Sequence, residues 1–429
     1  INIEGSYGPR DYVYSTHLHA KCTLGTMAVL HPFRALRPHA DVVDKVACVP
    51  YDVIDVDEAR ALAEGNPSSF LHVIRPEIDL PDETDEHADE VYEKGAENLR
   101  AYRSSELSLE EEAASVYIYR LEMKGRSQTG IYACVAVADY DENRILKHEK
   151  TRPDKEDDRT RHILTQRAHA EPVMLTYAQR PTIADIVGQT TQRDPLYDFT
   201  TDDGVRHTVW TVGNRSEMVA EFAMIPRLYV ADGHHRCKAA SRAAEKLRDG
   251  TAPDAEFEFF PAALFPMEEM QILPYNRVVY RLPESEEDFL KKLQERFDVE
   301  SEVDPVPPHK GRVCLYVGGR WHRFALPPTE RDTIADALDV ARLNEFVLEP
   351  MLGIKDPRTD SNIGFVGGIR GTGELEHLVR NGRASIAFSM YPTAIEELIS
   401  VSDAGLLMPP KSTWFEPKLR SGILVHLFD

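Results

Sequence analysis

Short apolar runs alternate with segments whose apolar residues recur every three or four positions over the first part of the chain. From Met27 to about residue 115, the apolar runs at 46–49 and 69–74 predict buried strands. The helical spacing predicts a helix over 56–64, which Gly65 ends, and a long acidic helix over 83–102. Strands that alternate with helices in this way favour an α/β arrangement.

The middle of the chain is richer in strand patterns. Its apolar runs predict strands at 116–119, 131–137, 197–201, 207–212 and 226–230. The pair Asp203-Gly204 lies between two of these strands and is typical of a hairpin turn. After the last of them, apolar residues at helical spacing predict a helix, namely Cys237, Ala240, Ala244 and Leu247.

Both element types continue in the last part of the chain. Helices are predicted over 284–297, 335–347 and 394–401, and strands over 313–317, 321–325, 385–390 and 422–427. The Pro-rich acidic segment 304–308 predicts a linker. The fold class is therefore mixed α/β (α+β). Four regions are expected, an extension over 1–26, an N-terminal α/β region over 27–115, a core over 116–303 and a C-terminal α/β region over 304–429.

The amino-acid composition limits the classes of function that we expect for this protein. The chain of 429 residues has a formal net charge of -22, which argues against a nucleic-acid surface or an anionic membrane as partner. It shows neither a membrane-length apolar run nor a signal-peptide pattern. The five cysteines are scattered without a CxxC pair, which fits reduced thiols in the cytoplasm better than disulfides or a zinc site.

The predicted strand 226–230 leads into a short polar motif, Asp232-Gly233-His234-His235-Arg236. At a turn from strand to helix, free N–H groups and the positive end of the helix dipole favour an anion. Gly233 lets the backbone approach a ligand, while Arg236 and the two histidines add donors that suit phosphate. The alternative is a polar turn whose histidines only cap the helix.

A second polar segment, 148–159, follows a predicted strand end. A solvated charged surface is the simplest interpretation for most of it. His148, Glu149 and Thr151 nevertheless come directly after the strand, and Lys155 and Arg159 fall four apart on one helix face. A carboxylate with nearby cations is what phosphoryl transfer to a hydroxyl requires. Glu149 is therefore the candidate base, and Lys155 and Arg159 are candidates to hold phosphate.

Further candidates for binding a substrate lie elsewhere in the chain. Tyr51, Asp52 and Arg75 follow predicted strands, where α/β sheets place ligands. Surface ion pairing is an equal alternative for Arg75. Lys411, Ser412 and Thr413 follow Gly405 at P-loop spacing, but Pro410 replaces the second glycine, so this is no Walker motif. These three residues either line a pocket or belong to a rigid loop over the sheet.

Together these segments resemble a prokaryotic family catalogued as domain of unknown function ten-fifteen. The resemblance covers the chain from Met27 to Asp429, and the motifs occur in the family's order. They are Pro50-Tyr51-Asp52-Val53-Ile54, Asn66-Pro67 with Arg75-Pro76-Glu77, His148-Glu149-Lys150-Thr151, Asp232-Gly233-His234-His235-Arg236 and Met408-Pro409-Pro410-Lys411-Ser412-Thr413. One departure is Tyr275-Asn276-Arg277, where the resemblance would place Thr-His-Arg.

The turn at 232–236 also resembles the phosphate-binding turn of ParB/sulfiredoxin-like proteins. Among them, free-serine kinases convert L-serine to O-phospho-L-serine with ATP, ADP or pyrophosphate. This resemblance implies a ParB/sulfiredoxin-like core with additional N- and C-terminal α/β regions. It also implies that Gly233, His234, His235 and Arg236 hold the donor's phosphates, and that Asp232 is catalytic or binds Mg²⁺. Glu149 takes the place of the kinases' upstream glutamate by its order in the chain.

The sequence thus predicts a cytoplasmic small-molecule kinase that most closely resembles those acting on free L-serine. Its expected partners are a small-molecule substrate and a phosphoryl donor, either a nucleotide or pyrophosphate, with neither nucleic acid nor a membrane. Two alternatives stay open, a non-catalytic nucleotide-binding regulator and a phosphate-ester hydrolase. The sequence does not indicate an oligomeric state.

Overall fold

The computed structural model describes residues 28–248, 250 and 255–428. The predicted extension over 1–26 lies outside the described residues. The strands, in chain order, are β1 Leu30–His31, β2 Ala35–Pro38, β3 Ser108–Glu110, β4 Tyr117–Met123, β5 Arg126–Ala136, β6 Ile145–Leu146, β7 Ala168–His169, β8 Val173–Tyr177, β9 Tyr197–Thr200, β10 Arg206–Thr211, β11 Leu228–Asp232, β12 Phe259–Pro266, β13 Ile272–Leu273, β14 Tyr275–Val279, β15 Glu300–Ser301, β16 Arg312–Val317, β17 Arg320–Ala325, β18 Ile363–Gly367, β19 Ile386–Ser389, β20 Trp414–Phe415 and β21 Val425–Leu427.

Helices lie between many of these strands. The α-helices are α1 Val43–Val46, α2 Val56–Ala63, α3 Leu71–Ile74, α4 Asp89–Arg103, α5 Val137–Asp141, α6 Pro153–Gln166, α7 Pro181–Thr190, α8 Arg215–Phe222, α9 His234–Leu247, α10 Glu286–Arg296, α11 Asp339–Leu343, α12 Glu349–Leu352, α13 Gly371–Arg380 and α14 Ile395–Asp403. Short 3₁₀ helices cover Tyr51–Val53, Pro76–Asp79, Glu256–Glu258, Met267–Glu269 and Gly368–Arg370, and Asn344–Leu348 forms one π-helical turn. The mixed α/β class is confirmed.

A nine-stranded sheet forms the centre of the described structure, in the order β6-β11-β8-β12-β5-β4-β10-β9, with β1 added against β5. Most of its pairs are antiparallel. Two pairs are parallel, β6 with β11 and β8 with β12. Because parallel strands end at the same edge, the segments that follow β6 and β11 come together there. The candidate site forms at this edge.

A second sheet has the order β15-β17-β16-β19-β14-β18. Its strand β14 precedes the predicted linker 304–308, yet it pairs with β18 and β19 far beyond it. Segment 304–308 itself connects strands of this one sheet. A smaller sheet, β3-β2-β21-β7, joins the two ends of the described chain, and β13 pairs with β20.

Alternating side chains of the central sheet face two apolar cores. In β4, Tyr117, Tyr119 and Leu121 belong to one core and Ile118 to the other, as the two-residue period of a strand requires. The first core continues to the second sheet, where Leu315 is also buried. Both faces of the central sheet are therefore covered, and the two sheets pack on a shared core.

Two predicted strands are wrong. Segment 69–74 contains the single helical turn α3, whose Leu71, Val73 and Ile74 are all buried. A short, continuously apolar run fits a buried strand and a buried helical turn equally well, so its pattern could not distinguish them. Segment 46–49 begins at the last residue of α1 and makes only an isolated bridge from Cys48 to Ser421.

The other predicted elements agree with the structure within a few residues, apart from two helices. The predicted helix 83–102 begins later, at Asp89 in α4, and the predicted helix 335–347 begins at Asp339 in α11 and continues into the π-helical turn. The hairpin at Asp203-Gly204 joins β9 to β10 as predicted. None of the helices in the described part of the chain is both long and apolar enough to cross a lipid bilayer.

Candidate functional site

The predicted turn from strand to helix is present at 232–234. Strand β11 ends at Asp232, helix α9 begins at His234, and Gly233 between them has a φ of 97°. A Cβ at Gly233 would be strained by this φ and would lie 3.2 Å from both Arg236 Nε and Val173 Cγ1. Among the described residues no side chain caps the helix. The first N–H groups of α9 are therefore available to an anion.

Parallel pairing places the segment 148–152 beside this turn. Leu228 and Tyr229 of β11 pair with Ile145 and Leu146 of β6, so both chains leave the sheet at the same edge. Glu149 then lies next to the start of α9, with its Oε2 3.8 Å from His234 Nδ1. The sheet topology thus brings together two polar motifs that are more than eighty residues apart in the sequence.

Two histidine side chains fasten the segment 148–152 to the helix. The backbone N–H of Arg152 donates to His235 Nε2 at 3.1 Å, and that of His148 donates to His234 Nε2 at 3.5 Å. A ring nitrogen that accepts a hydrogen bond carries no proton, so each neutral ring is protonated on Nδ1. Burial lowers the pKa of His234 to about 3 and also lowers the pKa of His235. Both rings are therefore neutral at physiological pH.

Asp232 carries a negative charge at the end of β11. Burial opposes its ionisation, but Lys418 and Arg236 outweigh that effect and hold the pKa of Asp232 well below its usual range. The Lys418 Nζ donates to Asp232 Oδ2 at 2.8 Å. Lys418 was not among the predicted site residues, although it lies only five positions after the candidate Thr413.

A cavity of about 540 Å³ opens over this turn. Ten of the residues predicted from the sequence line it, namely Tyr51, Asp52, Arg75, Glu149, Lys155, Asp232, His234, His235, Lys411 and Thr413. Further lining residues were not predicted, among them Lys150, Arg152, Tyr275, Arg358, Phe365, Trp414 and Lys418. A cavity of this size is within the range of small-molecule sites.

Comparison with known proteins gives a family. The family model described as "Protein of unknown function (DUF1015)" matches residues 30–341, well over half of the chain. The chain belongs to this family. No curated protein matches it.

Several solved structures are weakly similar to this chain. A C-terminally truncated SbnI from Staphylococcus aureus is 13% identical, covering 69% of this chain and 87% of that one at a TM-score of 0.37. A free serine kinase in complex with AMP is 10% identical, with coverages of 66% and 86% and a TM-score of 0.34. A conserved hypothetical protein from Pyrococcus furiosus is 11% identical, with coverages of 69% and 95% and a TM-score of 0.35. Structural similarities this weak carry no information about activity.

Two predicted phosphate-binding arginines lie behind the cavity wall. Arg159 is buried, pairs with Asp158 at 2.8 Å and Glu171 at 3.4 Å, and packs 4.0 Å from the centre of the Tyr51 ring. Arg236 is also buried and donates to the carbonyl oxygen of Pro172. Both guanidinium groups already have partners within the protein, and neither lines the cavity over α9.

Three other residues predicted to bind the substrate make contacts within the protein instead. The Ser412 hydroxyl donates to the carbonyl oxygen of Pro409 at 2.6 Å, and the Thr151 hydroxyl donates to Glu156 at 2.5 Å. His148 is buried with its ring edge-on to His234, 4.4 Å between ring centres. These residues shape the loops around the cavity without lining it.

Positive charge dominates the polar part of the cavity, although the protein as a whole is strongly acidic. Lys150, Arg152, Lys155, Lys411 and Lys418 all reach its lining. Burial alone would lower the pKa of Lys411, but Tyr275, Glu149 and Asp52 outweigh this and raise it. Chemically, the cavity offers cations and free N–H groups to an anion, with the Glu149 carboxylate beside them.

Proposed function

We propose that this protein is a phosphotransferase that moves a phosphoryl group from a small donor to a hydroxyl group of a small acceptor. One observation carries the proposal. Glu149, Asp232 and seven Lys and Arg side chains line one cavity at the N-terminus of α9. Phosphoryl transfer is catalysed mainly by positioning and by charge stabilisation, and it needs a group that orients the attacking hydroxyl. In this cavity, the cations can position the phosphates and stabilise their charge, and a carboxylate can orient the hydroxyl.

The donor's phosphates would bind at the start of α9. The N–H groups after Gly233 point out of the helix end, and Lys155 and Lys411 line the same cavity. Phosphate oxygens at a helix N-terminus gain from both the free donors and the dipole. His235 can add its Nδ1–H, because its Nε2 already accepts from Arg152.

The acceptor would lie against Glu149. Its carboxylate would accept a hydrogen bond from the attacking hydroxyl and take its proton late in the transfer. We propose free L-serine as acceptor. The cavity also offers the Asp52 carboxylate to an ammonium group and Arg75 to a carboxylate. Arg75 forms an ion pair with Glu77, with 2.8 Å between Nε and Oε1.

Mg²⁺ fits this site only together with a phosphate ligand. Within the described ranges, no group of three or more His, Cys, Asp or Glu side chains could hold a metal ion. Asp232 offers a single carboxylate, one oxygen of which bonds to Lys418. Mg²⁺ commonly binds through one or two carboxylates plus substrate phosphates. Asp232 would therefore contribute one ligand to a metal that arrives with the donor, where the metal neutralises phosphate charge.

The test is a direct assay of the full chain. The protein is incubated with Mg²⁺, L-serine and ATP, ADP or pyrophosphate in separate reactions, and phosphoserine is measured by mass spectrometry. Phosphoserine formed with at least one donor supports the proposal. Phosphate released at the same rate with and without serine would instead indicate a hydrolase. Nucleotide binding without turnover on any acceptor would indicate a regulator.

A further inference from the structure

One side of the cavity is aromatic, and the phosphate chemistry above does not use it. Tyr275, Phe365 and Trp414 line the cavity and are only half buried. The Tyr275 ring is flanked edge-on by Phe365, with ring centres 6.0 Å apart, and by Trp414, with ring centres 5.1 Å apart. We call these three residues the aromatic wall. The pairing of β14 with β18 and of β13 with β20 assembles it from distant parts of the chain.

Close packing fixes the orientation of the wall. The Trp414 ring lies directly on Gly367, where a Cβ would come within 2.6 Å of the indole. The indole N–H also donates to Glu416 Oε1 at 2.7 Å. These contacts hold one face of the indole against the protein. The wall is therefore a rigid, preformed surface rather than a loose apolar patch.

Lys418 joins the aromatic wall to the polar turn. Its Nζ lies 4.6 Å from the centre of the Trp414 ring and donates to Asp232 at 2.8 Å. On the other side, Lys411 Nζ lies 5.5 Å from the centre of the Tyr275 ring. Rings and cations alternate at this end of the cavity. A ligand that reaches the cations at α9 thus has the wall beside it.

This arrangement distinguishes between possible donors. Inorganic phosphate and pyrophosphate have no apolar surface, so they would leave the aromatic wall in water. A nucleoside phosphate has a flat ring system that can stack on such a wall while its phosphates lie at the cations. We propose that the aromatic wall is the base-binding part of a nucleotide site, with a nucleoside di- or triphosphate as ligand. This inference rests on the proposed function for its phosphate end, and it favours a nucleotide over pyrophosphate as donor.

The experiment compares two ligands that share phosphates but differ in the base. The full chain is titrated by calorimetry with ADP and with pyrophosphate, both in the presence of Mg²⁺. The variants Phe365→Ala and Tyr275→Leu remove aromatic surface, and the second keeps apolar bulk and so protects folding. Tyr391→Ala, at an exposed aromatic residue that does not line the cavity, is the control. Melting temperatures show whether each variant is folded.

We expect both wall variants to weaken ADP binding about 5- to 150-fold, the range for loss of one base–aromatic stack. Pyrophosphate affinity should stay within about twofold of the wild-type value, and Tyr391→Ala should change neither. Equal losses for both ligands, or no loss for ADP in either folded variant, would overturn the inference. So would a wild-type protein that does not bind ADP.

These outcomes are separate from those of the kinase assay. If ADP binding depends on the wall but no phosphoserine forms with any donor, the base subsite stands and the proposed activity fails. If phosphoserine forms while ADP affinity is the same in all variants, the activity stands and the base subsite is overturned.

Discussion

The Asp232 carboxylate keeps its charge in a place that burial alone would make unfavourable. Lys418 and Arg236 supply the compensating positive charge, and the bond from Lys418 Nζ is 2.8 Å long. The same burial would lower the pKa of Lys418, but Asp232 outweighs it and raises that pKa. Each member of the pair thus keeps the other ionised in the cavity wall.

Lys418→Met should therefore destabilise the protein by about 1.5–3 kcal/mol, because Asp232 loses a charged hydrogen-bond partner. The pKa of Asp232 should rise, since burial is then opposed by fewer charges. Urea unfolding measures the loss. Adding Asp232→Asn should recover part of it, because the uncompensated charge is removed, and a double-mutant cycle gives the coupling. Independent, additive effects of the two substitutions would contradict the pairing.

Glu149 is the residue on which the proposed chemistry depends most. Glu149→Gln keeps size and hydrogen bonding but cannot accept a proton. We expect the rate of phosphoserine formation to fall about 10²- to 10⁴-fold, the usual contribution of general base catalysis, while donor affinity changes little. Stopped assays with the productive donor measure the rate, and the exposed Glu106→Gln is the control. Wild-type turnover in Glu149→Gln with loss of turnover in Asp232→Asn would identify Asp232 as the base instead.

At the scale of elements, the site depends on how β6 and β11 pair. Their parallel alignment brings the segment 148–152 to the start of α9. His234 and His235 then hold that segment by accepting its backbone N–H groups. Their main role visible in the structure is to fix the position of Glu149. The sequence predicted both histidines as phosphate ligands, and that role stays a prediction.

His235→Ala should release the segment while leaving the fold intact. The Arg152 N–H loses its acceptor. Because such a hydrogen bond contributes about 0.5–1.5 kcal/mol, we expect this amide to exchange about 2- to 10-fold faster. Hydrogen–deuterium exchange with mass spectrometry should show this at 148–152 and not at α13. The exposed His377→Ala, in α13, is the matched control. Unchanged exchange at 148–152 would show that His235 does not hold the segment.

The elements on the phosphate-binding side of the cavity have local signals in the sequence. The rest of the cavity lining depends on the pairing of distant strands. The strand before Asp232, the helix after it and the hairpin at Asp203-Gly204 each have a local signal, and each is present. Tyr275, Phe365 and Trp414 come from three distant segments whose contact depends on sheet pairing, so no spacing in the sequence indicated them. The same is true of Lys418, which reaches Asp232 across 186 positions.

Local patterns also could not predict which charged side chains are buried. Lys155 and Arg159 are one helical turn apart, and their spacing predicted a common function. Lys155 lines the cavity, but Arg159 has Asp158 beside it and Glu171 from the chain beyond α6, and it turns into the protein. The sequence shows the spacing of two cations but not the acidic partner that burial requires for one of them.

At the scale of the whole molecule, the strongly acidic chain surrounds a cavity rich in cations. The formal net charge of the sequence is -22, whereas seven Lys and Arg side chains line the cavity over α9. The cavity also lies where the central sheet meets segment 407–418, which completes its lining. Both observations suit a small charged ligand.

Buried neutral histidines contribute to how the molecule responds to acid. Burial lowers the pKa values of His148, His207 and His234 to about 3 in each case. An unfolded histidine has a pKa of about 6.5. Below that pH the unfolded chain takes up protons that the folded chain excludes, so the free energy of unfolding falls as the pH drops from about 6.5 towards 3. Each histidine contributes up to about 1.4 kcal/mol per pH unit.

His207 allows this to be tested away from the cavity. Its ring bonds to the Tyr119 hydroxyl at 2.8 Å and lies near Arg420 and Asp203, of which Arg420 lowers and Asp203 raises its pKa. His207→Gln removes one titrating group while keeping a polar side chain. Urea unfolding at pH 7, 6 and 5 should show a smaller loss of stability with falling pH than in the wild type, by up to about 1.4 kcal/mol per unit. The exposed His377→Gln should keep the wild-type slope. If His207→Gln also keeps it, His207 takes up protons equally in the folded and the unfolded chain, and burial does not lower its pKa.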